Sequence, residues 1–216
     1  MDGERRKAIR YAVIGDSYSI GEGATEAESW PALLARHLDL ELVANPSHTG
    51  WTTADAMEKE LPIFRSARVD FATLMIGVND WVKGVEPQVF RERLGKLMDE
   101  MLAMLPNEKR LLVINIPDFS VTPKGAEYAR GRDISAGLTG FNRIIAEEAG
   151  RRNLTMVDIF PHSQEMRGRP ELIAADGLHP SAKAYAEWEA VIYPAALGLV
   201  IQASSLSPRT GLKPGE

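Results

Sequence analysis

The sequence predicts a three-layer α/β/α sandwich built on a five-stranded parallel sheet. Five short apolar runs, each β-rich and bounded by Gly, Asn, Asp or Pro, read as strands. Amphipathic stretches of helical length separate them. Polar, glycine-bearing motifs follow the runs, on the side where open parallel sheets place their ligands.

The first run, residues 11–14, leads into Gly15-Asp16-Ser17. The second, 40–44, leads into Asn45 to Gly50, and the third, 71–76, into Gly77-Val78-Asn79-Asp80. The fourth and fifth cover 111–116 and 155–159, and Asp176 to His179 lies in the connection after the fifth. Little polar alternation interrupts these runs, so burial on both faces is expected. Between them, residues 30–38 place Leu33, Leu34 and Leu38 near one face, and 90–105 repeat Leu94, Leu97, Met101, Leu102 and Leu105 at helical spacing. Residues 138–152 and 182–202 continue the alternation. Residues 117–137 show no apolar period. A stretch of that length leaving strand four on the motif side is a candidate lid or substrate-binding loop.

The length of 216 residues suits one domain, expected over 1–203, with a Ser-, Pro- and Gly-rich tail over 204–216 expected to fray. A net charge of −5 gives no reason to expect nucleic acid as a partner. Cysteine is absent, which removes disulfides, thiolate metal sites and thiol nucleophiles. The apolar residues before Gly15 are too few for a signal peptide, and no window reaches the roughly 18 apolar residues of a membrane span. A cytoplasmic location is therefore the expectation, unless the chain is a mature form whose leader was removed.

Ser17, His179 and Asp176 are the residue types that acyl-transfer hydrolysis requires: a nucleophile, a base and a group that orients the base. Serine is a poor nucleophile until a base takes its proton. Asp176, three residues before His179, can reach back across a tight turn to the imidazole Nδ1–H and leave Nε2 facing the serine. The other histidines fit less well. His37 lies in a helical pattern, His162 has no matched acid (Asp158 is four residues back, across Pro161), and His48 in a motif loop is a weaker candidate for substrate contact. The backbone N–H of Ser17, the backbone N–H of Gly50 and the side-chain amide of Asn79 are candidate donors to a developing oxyanion. Each of these residues also has an ordinary reading, as an N-cap serine or as turn glycine and asparagine.

Taken together, these blocks resemble the SGNH, or GDSL-type, serine hydrolases. Gly15-Asp16-Ser17-Tyr18-Ser19 is similar to the family's nucleophile block. Asn45-Pro-Ser-His-Thr-Gly50 and Gly77-Val-Asn79-Asp80 are similar to its two oxyanion blocks, and Asp176-Gly-Leu-His179-Pro180 to its acid–base block. The four occur in family order between residues 15 and 180. The resemblance implies a flavodoxin-like fold and an esterase that cleaves carboxylic esters or thioesters with no metal and no cofactor. It departs from the common pattern at Trp51, where many members carry Asp, and at Tyr18, where leucine is common. Tyr18, Trp51 and Trp81 are candidate substrate-binding walls beside a small-molecule ester. Transfer of the acyl group to an alcohol or sugar, and carbohydrate O-deacetylation, would use the same three residues. The non-enzymatic alternative is a flavodoxin-like binding module whose hydroxyl-rich loop after the first strand cradles a phosphate or FMN; Gly21-x-Gly23 is too short a signal to support it.

Overall fold

The computed structural model describes residues 8–107 and 110–205. Five strands, β1 (Ile9–Gly15), β2 (Leu40–Ala44), β3 (Phe71–Met75), β4 (Leu111–Ile114) and β5 (Thr155–Val157), form one sheet in the order β2-β1-β3-β4-β5. Every pairing is parallel. The predicted three-layer sandwich is therefore present. The longer helices are α2 (Trp30–His37), α6 (Pro87–Met104), α7 (Ile134–Arg151) and α9 (Ala182–Ser205). Shorter ones are α1 (Ser17–Ile20), α3 (Thr53–Asp55), α4 (Leu61–Ser66), α5 (Val78–Val82) and α8 (Phe160–Gln164). Helix α2 packs on α9, while α6 packs on α7, α3 and α4.

The sheet is the centre of the core. All of β3 is buried, and Tyr11 to Ile14 of β1 are fully shielded. Burying one such apolar side chain is worth about 1.5–3 kcal/mol, so these runs anchor the fold. Local chemistry places the helix starts. Ser29 caps α2 by accepting from the Ala32 N–H, and Asp133 caps α7 by accepting from Ala136. Pro87 opens α6, where its missing N–H costs nothing. Buried Glu148 of α7 binds Arg91 of α6 at 3.0 Å and Arg152 at 2.8 Å, pinning those two helices together.

Three expectations need correction. The third, fourth and fifth strands end one or two residues before the apolar runs do. At the fourth and fifth, Asn115 is the reason: its amide donates to Asp158 at 2.6 Å and its Oδ1 accepts the Ile159 N–H at 2.8 Å, so side chain replaces ladder. Residues 117–137 are built rather than structureless. They contain two 3₁₀ turns, Phe119–Val121 and Gly125–Tyr128, and the start of α7. Of the expected tail, Ser204 and Ser205 belong to α9, and 206–216 lie outside the described residues.

Candidate active site

The strand-to-helix junction that carries Ser17 is tightly constrained. Gly15 ends β1, and a Cβ there would lie 2.1 Å from Ser19 Oγ and 2.8 Å from the Met75 carbonyl. Only glycine lets α1 fold back this closely on the strand. Asp16 caps α1, its Oδ1 accepting from the Tyr18 N–H at 3.1 Å. Asp16 is buried, and desolvation pushes its carboxyl up to about 7, partly offset by that Tyr18 bond. Ser17 takes the first helical position and is 5% exposed. A first-turn N–H has no intrahelical acceptor, so the Ser17 N–H is a free donor beside its own hydroxyl.

The second block turns sharply at Gly50, whose φ of +78° suits glycine, with open space where a Cβ would stand. Lys83 donates to the Gly50 carbonyl at 2.7 Å. Among the described residues the Gly50 N–H meets no protein acceptor. Thr52 and Asp55 then form a capping box that starts α3. The third block is bound to the second twice. Buried Asp80 accepts from the Thr53 N–H at 2.9 Å and the Thr53 hydroxyl at 2.6 Å. Desolvation pushes the Asp80 carboxyl up, against the lowering effect of those bonds. The Asn79 amide donates to the Trp51 carbonyl at 3.0 Å and reaches Asp16 Oδ2 at 3.4 Å. The first is a full hydrogen bond and the second a weak one, so one amide hydrogen is held and the other loosely so.

The fourth block is a turn with Gly177 at φ +74°. Asp176 Oδ2 meets His179 Nδ1 at 2.6 Å, while Oδ1 accepts from the Leu178 N–H at 2.8 Å and the His179 N–H at 3.0 Å. Burial pushes the Asp176 carboxyl up, but the His179 bond and the two N–H groups outweigh it and hold it below the usual range. The imidazole is nearly buried, and its ring centroid lies 5.6 Å from that of Tyr18, the residue after Ser17. Gly23, in the loop after α1, approaches so closely that a Cβ would stand 3.2 Å from His179 Cβ. Nε2 lies 3.7 Å from Glu22 Oε2, and Thr49 Oγ1 donates to that same oxygen. Among the described residues Ser17 Oγ makes no hydrogen bond, to His179 or to any other group.

The four blocks predicted from sequence thus share one end of the sheet. The candidate walls separate into two kinds. Trp51 is half-buried, stacks on His48 at 4.9 Å and lies under Lys59 Nζ at 5.1 Å. Tyr18 and Trp81 are 4% and 5% exposed and pack inward. Tyr18 borders a narrow crevice with Pro117, Phe119, Leu178 and Pro180. Trp81 is covered by the Arg132 guanidinium at 4.0 Å and by Phe119. Glu22, Asp176 and His179 each offer an atom within 4.8 Å of the others, the only such grouping of three among the described residues. All three groups are already engaged, Asp176 with His179 Nδ1 and two backbone N–H groups, and Glu22 Oε2 by Thr49.

With this geometry in place, sequence comparison decides the family. The profile of the GDSL-like lipase/acylhydrolase family matches residues 13–187, which spans all four blocks. The chain belongs to the GDSL-like lipase/acylhydrolase family. As a GDSL enzyme it is a carboxylic ester hydrolase. An arylesterase of Vibrio mimicus is 25% identical over 176 residues, covering 80% of each chain. The crystal structure of TesA superposes with a TM-score of 0.69 at 21% identity, covering 88% of this chain and 99% of that one. The psychrotrophic esterase EstA from Pseudoalteromonas sp., in a structure inhibited by monoethylphosphonate, gives 0.67 at 19% identity, covering 89% and 98%. These structures share the fold of this GDSL chain. No helix among the described residues is long and apolar enough to cross a membrane.

Three carboxylates around the GDSL site escape sequence reasoning. Glu22 and Asp80 sit inside or beside the motifs, but their partners, Thr49 and Thr53, come from another block. Glu60 lies in a mixed charged stretch that reads as solvated surface, yet it is fully buried and its Oε2 accepts the Gly15 N–H at 3.0 Å. Desolvation pushes its carboxyl up to about 8, and the charges of Asp16 and Asp55 add to the rise.

Proposed function

We propose that this enzyme hydrolyses small carboxylic esters through an acyl-enzyme on Ser17, with His179 as base and Asp176 as its orienting acid. The observation that carries the reading is the 2.6 Å bond between His179 Nδ1 and Asp176 Oδ2, made on a turn packed against the serine-bearing loop. That bond keeps the Nδ1 proton on the Asp176 side and leaves Nε2 as the acceptor.

In the first half-reaction Ser17 Oγ bonds to the acyl carbon while His179 Nε2 takes the hydroxyl proton. The carbonyl electron pair moves onto oxygen, giving a tetrahedral oxyanion. The N–H groups of Ser17 and Gly50 and the Asn79 amide receive that charge; the two backbone donors have no other protein acceptor among the described residues, which suits the role. The oxyanion collapses, the bond to the leaving alkoxy oxygen breaks, and the imidazolium returns its proton to make the free alcohol. Water then attacks the acyl-enzyme by the same route, giving the carboxylic acid and restoring Ser17. Asp176 stays ionised throughout and stabilises the imidazolium; its depressed pKa fits that duty.

Short acyl groups are the substrate class the surroundings favour. The crevice beside Tyr18 is walled by Pro117, Phe119, Leu178 and Pro180 and is too narrow to admit a water molecule. A long chain would have to displace residues 117–137. Trp51 and His48, stacked on each other beside the Gly50 turn, offer an aromatic face to the alcohol side. p-Nitrophenyl esters from acetate to palmitate test the class: kcat/KM is expected to be highest at two to four carbons, and a rise toward long chains would sink it. An ethylphosphonate ester probe tests the nucleophile by mass spectrometry of the adduct. The adduct is expected on Ser17, and labelling elsewhere with loss of activity would reassign the mechanism.

A further inference from the structure

We propose that Glu60 is a positioning residue that sets the spacing between the nucleophile and the Gly50 donor. This inference rests on the reading of Ser17 as nucleophile and Gly50 as oxyanion donor. Pairing of β1 with β2 ends at Ala12 and Ala44, so beyond that point the β2 side of β1 has no strand to receive its N–H groups. Glu60 Oε2 fills that place at Gly15, accepting its N–H at 3.0 Å, two residues before Ser17. A buried N–H bonded to a buried carboxyl oxygen is a directional tether, costly to leave unmade. No other side chain among the described residues bonds that N–H.

The segment that delivers Glu60 is irregular in a way that fits this task. Residues Ala56–Glu60 form a π turn between α3 and α4. A π turn inserts one extra residue into a helix and rotates the residues after it, and such turns occur frequently at functional sites. Here the turn brings a carboxyl side chain to 0% exposure beneath the serine junction. Its other oxygen, Oε1, is buried with no protein partner. An arrangement with an unpaired buried oxygen costs stability, and the Gly15 tether is what it secures.

The same helical unit begins at the other half of the site. Thr52 and Thr53 come directly after Gly50 and Trp51 and are locked by the capping box and by Asp80. One continuous piece of chain therefore holds the Gly50 turn at its start and, through Glu60, the Gly15 N–H further along. Glu60 joins the oxyanion loop to the nucleophile loop without touching substrate.

Steady-state kinetics on p-nitrophenyl acetate test the proposal with three variants, each checked for folding by circular dichroism and thermal melting. Glu60→Leu removes the acceptor and is expected to lower kcat about 10–100-fold with KM within about twofold, since an error on the order of 1 Å in a reacting group can cost about 10²-fold. Glu60→Gln keeps a carbonyl oxygen for Gly15 and is expected to restore kcat to within about threefold of the parent. If Glu60→Leu does not fold, Glu60→Asp, one methylene too short to reach, takes its place with the same expectation. A folded Glu60→Leu (or Glu60→Asp) with parental kcat overturns the proposal, as does a folded Glu60→Gln that is equally slow. Ser17→Ala, assayed beside them, separates the two readings: if it retains activity, the underlying mechanism has failed rather than the role of Glu60.

Discussion

At the scale of single residues, the site is a set of donors and acceptors whose loss has separable costs. Asn79→Ala removes one oxyanion donor and is expected to lower kcat about 10²–10³-fold, about 3–4 kcal/mol in the barrier. The same change releases the Trp51 carbonyl, so a melting curve is needed beside the kinetics. Turnover near the parental value would take Asn79 out of the mechanism. Asp176→Asn replaces an acceptor with a group that can donate toward Nδ1, which favours the wrong tautomer; a fall in kcat on the order of 10⁴-fold is expected, with little change in KM. Activity should also fall on acidification, because a protonated imidazole cannot accept the serine proton. A rate constant that stays flat down to pH 4 would argue against a histidine base. The residues of the four blocks are legible in the sequence alone, because acyl-transfer chemistry calls for these side-chain types and they stand in short blocks after successive strands. Glu60 is not legible there. Its neighbours Glu58 and Lys59 are exposed, and nothing local distinguishes a buried glutamate from a solvated one.

At the scale of elements, the strands and long helices can be read because burial on both faces leaves uninterrupted apolar runs and one-sided burial leaves a 3.6-residue period. The helical patterns for α2, α7 and α9 begin and end within a few residues of the helices themselves. The helical unit over 53–66 escapes detection because its π turn breaks the period and Pro62 reads as a stop. The 3₁₀ turns after β4 escape it because a turn of three or four residues has no period to detect. Their order comes from Asp118, which accepts from Ser120, Ser135 and Gln164, bonds that tie the segment to α7 and α8. The fit of α7 against α5 depends on Gly137, where a Cβ would stand 1.9 Å from the Trp81 indole nitrogen. Gly137→Ala is therefore expected to destabilise by about 1–3 kcal/mol despite better helix propensity. A raised melting temperature would show that Trp81 moves aside easily and that α5 and α7 are not tightly fitted.

At the scale of the whole molecule, buried acids give stability a particular dependence on pH. The native carboxyls of Glu60 and Asp16 are raised to about 8 and about 7, so between their ordinary range and those values the native state binds more protons than the unfolded chain. Stability contributed this way falls as pH rises through that window. Asp118 and Asp176, whose carboxyls are lowered, work the other way and lose their contribution as the solution is acidified. Urea midpoints are expected to decline from pH 5 to pH 8, less steeply in Glu60→Gln than in the parent; equal slopes would mean that Glu60 does not titrate there. One backbone bond also links distant parts of the molecule. The Lys124 N–H donates to the Gly177 carbonyl at 3.0 Å, fastening the segment beside the crevice to the turn that carries Asp176 and His179. The proposed preference for short acyl groups and the turnover rate are thus expected to be coupled. Substitutions near Lys124 that widen the crevice are expected to loosen the turn under the imidazole as well, so variants that gain activity on longer p-nitrophenyl esters are expected to show a lower kcat.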